Sequence, residues 1–257
     1  MAVPAIGAHN RFRNTVLRSV DWGNPTTADL IACHVPIGGS MVKDLCGRFD
    51  LDAFSAIAAN DTSTWGSGMS SSGASQQGAA RKTGLLGPMS LQPPITLMWV
   101  GRFNGEPDAN QFFYGCDTAG FGGSSRSYVI RKSSNTGWLA LEIYTGSSSV
   151  ALTVFGISPN FTSPIPRVLI GTIGPSGLAL WMNGARIGTD ATAVSVIGYS
   201  DGFSATDGSF FSVHCRQGTT AGTTNSTFNM GAVWNRQLTD GEIISLSADP
   251  FSFLNPR

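Results

Sequence analysis

The chain has 257 residues, in which 16 Lys plus Arg balance 16 Asp plus Glu and charged residues make up only 12%. Zero net charge gives no bulk attraction to nucleic acid, and no apolar run reaches the roughly 18 residues of a membrane helix, so neither nucleic-acid binding nor membrane insertion is expected. The 32 glycines and 13 prolines point to many short strands joined by turns, at a length that suits one large β domain.

Residues 1–27 read as an N-terminal arm, with Arg11, Arg13 and Arg18 giving it local positive charge. It is expected to be either solvated or docked on a neighbouring subunit. Its start lacks the apolar stretch of a secretory signal. In residues 28–50, Leu30 to Cys33 reads as a strand, Gly38-Gly39 as a turn and Val42 to Gly47 as the return. His34 reads as a structural polar residue, and Asp44 as a turn cap acting through its carboxylate. Residues 60–84, rich in Gly, Ser and Ala, offer too little apolar surface to order alone. An assembly contact is therefore expected to hold that tract, with Trp65 anchoring its start.

Ile95 to Phe103 is apolar on both faces, as in a strand in the middle of a sheet, and Trp99 reads as core. Further strands are expected at Gln111–Cys116, Ser127–Lys132, Trp138–Tyr144 and Ser149–Phe155. Residues 164–190 read as a meander centred in a sheet: Val168–Ile170, a Gly174–Gly177 turn, Leu178–Met182, then Asn183-Gly184 and a return strand. Val194–Ile197 and Phe210–Cys215 complete a set of about 12 to 14 strands, which regular turn punctuation assigns to a two-sheet antiparallel sandwich. One helix is expected near the C-terminus. Thr239 and Glu242 have the spacing of a capping box, Ile243, Ile244 and Leu246 supply an apolar face, and Pro250 ends it. The apolar tail 251–257 is expected to pack back on the domain or on a partner. Of the four cysteines, Cys33 and Cys46 have a spacing that allows them to face each other across a hairpin, with their redox state open. The absence of CxxC spacing argues against zinc, and free thiols acting as small core residues are the simpler reading.

The stretch RVLIGTIGPSGLALWMNGARIG, residues 167–188, is similar to the central hairpin of laminin-G-like domains in the concanavalin A-like superfamily. FNMGAVWNRQLTDGEIISLSADP, residues 228–250, resembles the closing strand and short helix of that family. Residues 28–50 resemble its opening hairpin, and ITLMWV, residues 95–100, one of its inner strands. Cys46 stands where the family usually has Ser, and His34 where an aromatic is common. The resemblance implies an all-β, concanavalin A-like jelly-roll sandwich over residues 28–250, with one short C-terminal helix.

The same superfamily includes jelly-roll glycoside hydrolases, which need paired carboxylates on one strand face. This chain has three glutamates, Glu106, Glu142 and Glu242, and no Glu-x-Asp pair, so no enzyme is expected. There is no G-x-S-x-G elbow, and His9, His34 and His214 lack metal-ligand spacing. Some laminin-G-like domains hold Ca²⁺ at the rim. Asp117, Asp201 and Asp207 are the candidates here, against the plainer reading of solvated turn aspartates. A glycan site needs an aromatic platform, for which Trp65, Tyr199 and Phe203 are the loop candidates. Laminin-G-like domains are common in phage surface proteins. The resemblance therefore implies a non-enzymatic structural or adhesion protein on the virion surface, a capsid decoration or fibre subunit. Such a protein is expected to be a homo-oligomer or to contact capsid or tail proteins and cell-surface glycans. The alternative is a soluble or secreted, extracellular carbohydrate-binding module.

Overall fold

The computed structural model describes residues 19–37, 41–54, 58–63, 66–72, 78–83, 86–105, 111–119, 125–132, 138–144, 151–163, 165–199, 208–214 and 225–255. In chain order the strands are β1 (Leu30–Ile37), β2 (Met41–Asp44), β3 (Leu51–Phe54), β4 (Ala58–Ser63), β5 (Gly66–Ser72) and β6 (Gly78–Lys82). They continue with β7 (Ile95–Phe103), β8 (Gln111–Ala119), β9 (Ser125–Lys132), β10 (Leu139–Tyr144) and β11 (Ala151–Phe155). The last are β12 (Pro166–Gly174), β13 (Gly177–Met182), β14 (Ala185–Asp190), β15 (Gly208–Val213) and β16 (Asn225–Trp234), followed by helix α1 (Asp240–Ala248).

All pairings are antiparallel, and the strands form one continuous sheet in the order β11-β10-β9-β8-β15-β6-β3-β2-β1-β16-β7-β12-β13-β14, with β5 on β16 and β4 on β5. The sheet curls until its two ends meet. At Gly188 of β14 an added Cβ would lie 2.5 Å from the Phe155 carbonyl oxygen of β11, so glycine is what permits the approach. The result is a nearly closed, barrel-like sheet with one short helix.

Alternation along β7 shows how the sequence builds two apolar layers. Ile95, Leu97, Trp99 and Phe103 join the enclosed core, where Trp99 stacks on Phe103 with centroids 5.8 Å apart. Met98 and Val100 point the other way, into a second layer with Val168, Ile170 and Trp234. Ile243 and Leu246 of α1 cover that layer together with Phe251, Phe253 and Leu254. The tail therefore packs back on the domain, and full burial of Phe253 contributes about 2 to 3 kcal/mol. The capping box is present: Thr239 Oγ1 accepts from Glu242 N, and Glu242 Oε2 accepts from Thr239 N. Arg236 binds the same carboxylate through two nitrogens and holds its pKa down at about 2. Ile244, counted in the apolar face, is 53% exposed.

Several expectations change. The 164–190 meander lies at one end of the sheet order, not its centre, because among the described residues β14 pairs only with β13. The 60–84 tract contributes strands of the domain itself. β6 is hydrogen-bonded between β3 and β15, where Ala79 and Ala80 are small enough to be buried against both neighbours. Residues 194–197 form no strand: Val194 donates to the Gly174 carbonyl and Ile197 to the Gln92 side chain instead of to a ladder. Residues 19–27, read as part of the arm, are tied into the domain, and Val20 bridges to Leu254.

Two buried histidines set an acid limit. His34 lies between the Tyr114 hydroxyl, 2.6 Å from Nδ1, and the Phe49 carbonyl, 2.8 Å from Nε2. His214 packs among Trp99 and Phe228 with Nε2 3.0 Å from Ser226 Oγ. Burial lowers the pKa of both below 6.5, His214 to about 3. The unfolded chain thus binds more protons than the folded one between about 3 and 6.5, and stability falls as the pH drops through that window. The urea midpoint is expected to be lower at about pH 5 than at about pH 7. An unchanged midpoint would contradict the burial of neutral imidazoles.

Candidate functional site

A densely hydrogen-bonded surface loop runs from Asp21 to Asp29. Asp21 N donates to the Phe253 carbonyl (2.9 Å), and Gly23 N to Asp21 Oδ1 (3.0 Å). Asn24 caps the short 3-10 turn Pro25–Thr27 by accepting from Thr26 N at 2.9 Å, while its Nδ2 donates to the Ser252 carbonyl at 3.1 Å. Thr27 Oγ1 donates to the Asn24 carbonyl at 2.6 Å. From below, Trp234 Nε1 donates to the Thr26 carbonyl (2.7 Å) and Arg236 Nε to the Ala28 carbonyl (3.0 Å). A loop with this many backbone ties is preorganised, so it loses little entropy when a ligand binds.

On this scaffold Trp22 is 59% exposed. It borders a groove of about 550 Å³, with Asn24, Asp29, Arg48 and Asn235 around it. Asp29 sits at φ 60°, a left-handed conformation rare outside glycine, and Asn235 N pins its carbonyl at 2.9 Å. Arg48 is placed through its backbone N–H, 2.9 Å from Asp44 Oδ2. Its guanidinium and the Asp29 carboxylate are exposed and pair with nothing among the described residues. An apolar ring face beside an unpaired carboxylate, a guanidinium and an amide suits a ligand with both C–H faces and hydroxyls.

The residues singled out from sequence lie elsewhere. Tyr199 is largely buried, edge-on to Tyr128, with its hydroxyl donating to the Leu91 carbonyl, so it presents no open platform. Asp117 is fully buried inside β8 opposite Phe210, not in a rim loop. Trp65, Phe203, Asp201 and Asp207 lie outside the described residues, as does Cys215. Among the described residues no three His, Cys, Asp or Glu side chains gather as a metal site would require. Glu142 is buried and accepts from Arg131 Nε. Cys33 and Cys46 are free thiols that lie close together. Burial raises both, reinforced at Cys33 by Cys46 and then Asp44 and at Cys46 by Asp44, which brings Cys46 to about 12, so neither is a nucleophile at neutral pH. Trp22 was missed because it fell in the presumed arm. The signal was present: Asp21-Trp22-Gly23-Asn24-Pro25 sets a tryptophan among turn formers.

Comparison with known proteins gives likeness at the level of fold. No family model and no curated protein matches the chain. Among solved structures it is similar to Trypanosoma rangeli sialidase in complex with sialic acid, with TM-score 0.61 and 16% identity, over 95% of this chain and 37% of the sialidase. It is similar to the binding domain of Paraclostridial Mosquitocidal Protein 1, with TM-score 0.62 and 11% identity, over 88% of this chain and 53% of that one. The CBM40 of Ruminococcus gnavus IT-sialidase matches with TM-score 0.51 and 17% identity, over 70% of this chain and 96% of that module. The chain thus spans little more than a third of the sialidase and nearly the whole of the CBM40. At these identities what is shared is the all-β antiparallel fold.

Proposed function

We propose that the chain is a carbohydrate-binding module that holds a glycan in the Trp22 groove. The observation that carries this is the exposed Trp22 ring on a hydrogen-bonded loop beside unpaired Asp29 and Arg48. The fold likeness to a CBM40 supports the same reading, as does the resemblance to concanavalin A-like, laminin-G-like jelly rolls. Binding needs no catalysis. Glu142, the strand glutamate weighed for a hydrolase, is paired with Arg131. The test is a glycan array probed with the full chain. Dose-dependent binding to a chemically related subset is expected; no binding to any glycan overturns the reading.

Display of this module on a virus particle belongs to the same proposal and rests on the laminin-G-like resemblance. It predicts an oligomer of the full chain, or association with a capsid or tail protein. Light scattering that finds a monomer would contradict self-assembly. The truncation to compare is removal of residues 1–18, because residues 19–27 are part of the domain.

A further inference from the structure

A second groove, of about 490 Å³, lies on the other flank, between the outer face of β12–β13–β14 and the chain leading into α1. Its floor is a cross-strand row of small residues: Thr172 opposite Ala179, and Ala179 opposite Thr189. Such a row leaves a depression in a face that is otherwise filled by large side chains. One wall is Trp181, 95% removed from solvent, with the Arg186 guanidinium 4.5 Å above its ring. Arg186 Nη2 also reaches Asp240 Oδ2 at 2.6 Å, which fixes that rim. The opposite wall is Gln237, whose Nε2 donates to the Gly177 carbonyl at 3.2 Å, leaving its Oε1 as an acceptor. At Gly174 an added Cβ would lie 2.6 Å from the Gln237 amide carbon, so the glycine makes room for this wall.

Trp181 Nε1–H is buried and meets no acceptor among the described residues. A ligand oxygen that reached it from the groove would supply the partner it lacks. The charge of the lining selects the ligand. Arg186 is neutralised by Asp240, while the half-buried Asp190 carboxylate is kept ionised by the Thr192 hydroxyl and by the Thr192 backbone N–H, which donates to its Oδ1 at 2.8 Å. The groove therefore carries one uncompensated negative charge among threonine hydroxyls and an amide. That disfavours anionic ligands and suits a polyol, whose hydroxyls donate to Asp190 and Gln237 and accept from Trp181.

We infer that this groove is a second saccharide site, taking a neutral sugar ring, separate from the Trp22 groove and independent of it. Two sites on one domain would raise avidity for a branched or repeating glycan without any new contact.

The test uses ¹⁵N-labelled full chain carrying Trp22→Ala, so that the first groove cannot contribute. It is titrated separately with the methyl glycosides of glucose, galactose, mannose and N-acetylglucosamine, and with N-acetylneuraminic acid as the anionic control. At least one neutral glycoside is expected to shift the Trp181 indole and Gln237 amide signals together, saturating with Kd of about 1 mM, and the acid to shift neither. Asp190→Asn, which removes the charge and keeps an oxygen to accept from Thr192 N, should weaken that binding at least tenfold. No saturable shift with any neutral glycoside overturns the inference. A shift with the acid alone also overturns it. Either failure leaves the array result for the Trp22 groove standing, so the two readings fail separately.

Discussion

Replacing Asp44 by Ala is expected to lower the stability of this domain by about 3 to 5 kcal/mol and its Tm by about 10 °C. The carboxylate accepts four backbone N–H bonds: Cys33 (2.8 Å) and Cys46 (3.0 Å) on Oδ1, Arg48 (2.9 Å) and Phe49 (3.0 Å) on Oδ2. It is 1% exposed. Removing it strands the Cys33 and Phe49 donors without water, and each buried orphan costs about 1 to 3 kcal/mol. Asp44→Asn should be nearly as damaging, since its NH₂ group would face two N–H donors. Asp52→Asn, at an exposed position, should change stability by less than about 0.5 kcal/mol. Urea unfolding of the three variants checks this. Equal midpoints for Asp44→Ala and Asp52→Asn would contradict the account of the β1–β2 hairpin. Because Asp44 also positions Arg48, its loss reaches the Trp22 groove through the backbone.

Gly115→Ala is expected to be as severe, for a steric reason. Gly115 sits at φ 148°, and an added Cβ would come within 2.3 Å of the Tyr128 carbonyl oxygen and 2.7 Å of Val129 Cα. Both atoms belong to the backbone of the paired strand β9, which cannot yield without breaking its ladders to β8 and β10. A loss of more than about 4 kcal/mol is expected, seen as a collapse of soluble yield or of Tm. Gly241→Ala is the matching control for a variant that fails to fold. It lies in the first turn of α1 with nothing within 4 Å of an added Cβ, so it should raise stability by about 0.5 to 1 kcal/mol. Opposite signs for the same substitution at two glycines would separate packing from propensity.

The strands that were legible from sequence are those whose side chains announce them. Ile95–Phe103 and Leu178–Met182 are dense apolar runs bounded by turn residues, and the structure places β7 and β13 there. Thr239 and Glu242 likewise declared α1, because a capping box is a local device. Sheet order was not legible. That β6 sits between β3 and β15 depends on Ala79 and Ala80 being small, a property the 60–84 tract shares with unstructured sequence. Nor could the end-to-end approach of β11 and β14 be read from Gly188 alone. The candidate site was hidden for a related reason. Trp22 becomes a platform only because Phe253, Ser252, Trp234 and Arg236, more than two hundred residues away, hold its loop. Short-range patterns register propensity; that loop is fixed by long-range hydrogen bonds.

The central claim is that the Trp22 groove binds carbohydrate, and calorimetric titration of the full chain with the best glycan from the array tests it most directly. The account predicts that Trp22→Ala weakens binding at least a hundredfold, a loss of about 3 kcal/mol, while leaving the urea midpoint unchanged, because the ring is exposed and the loop is held by its backbone. Unchanged affinity in a folded Trp22→Ala variant would contradict it and move the principal glycan site away from this loop.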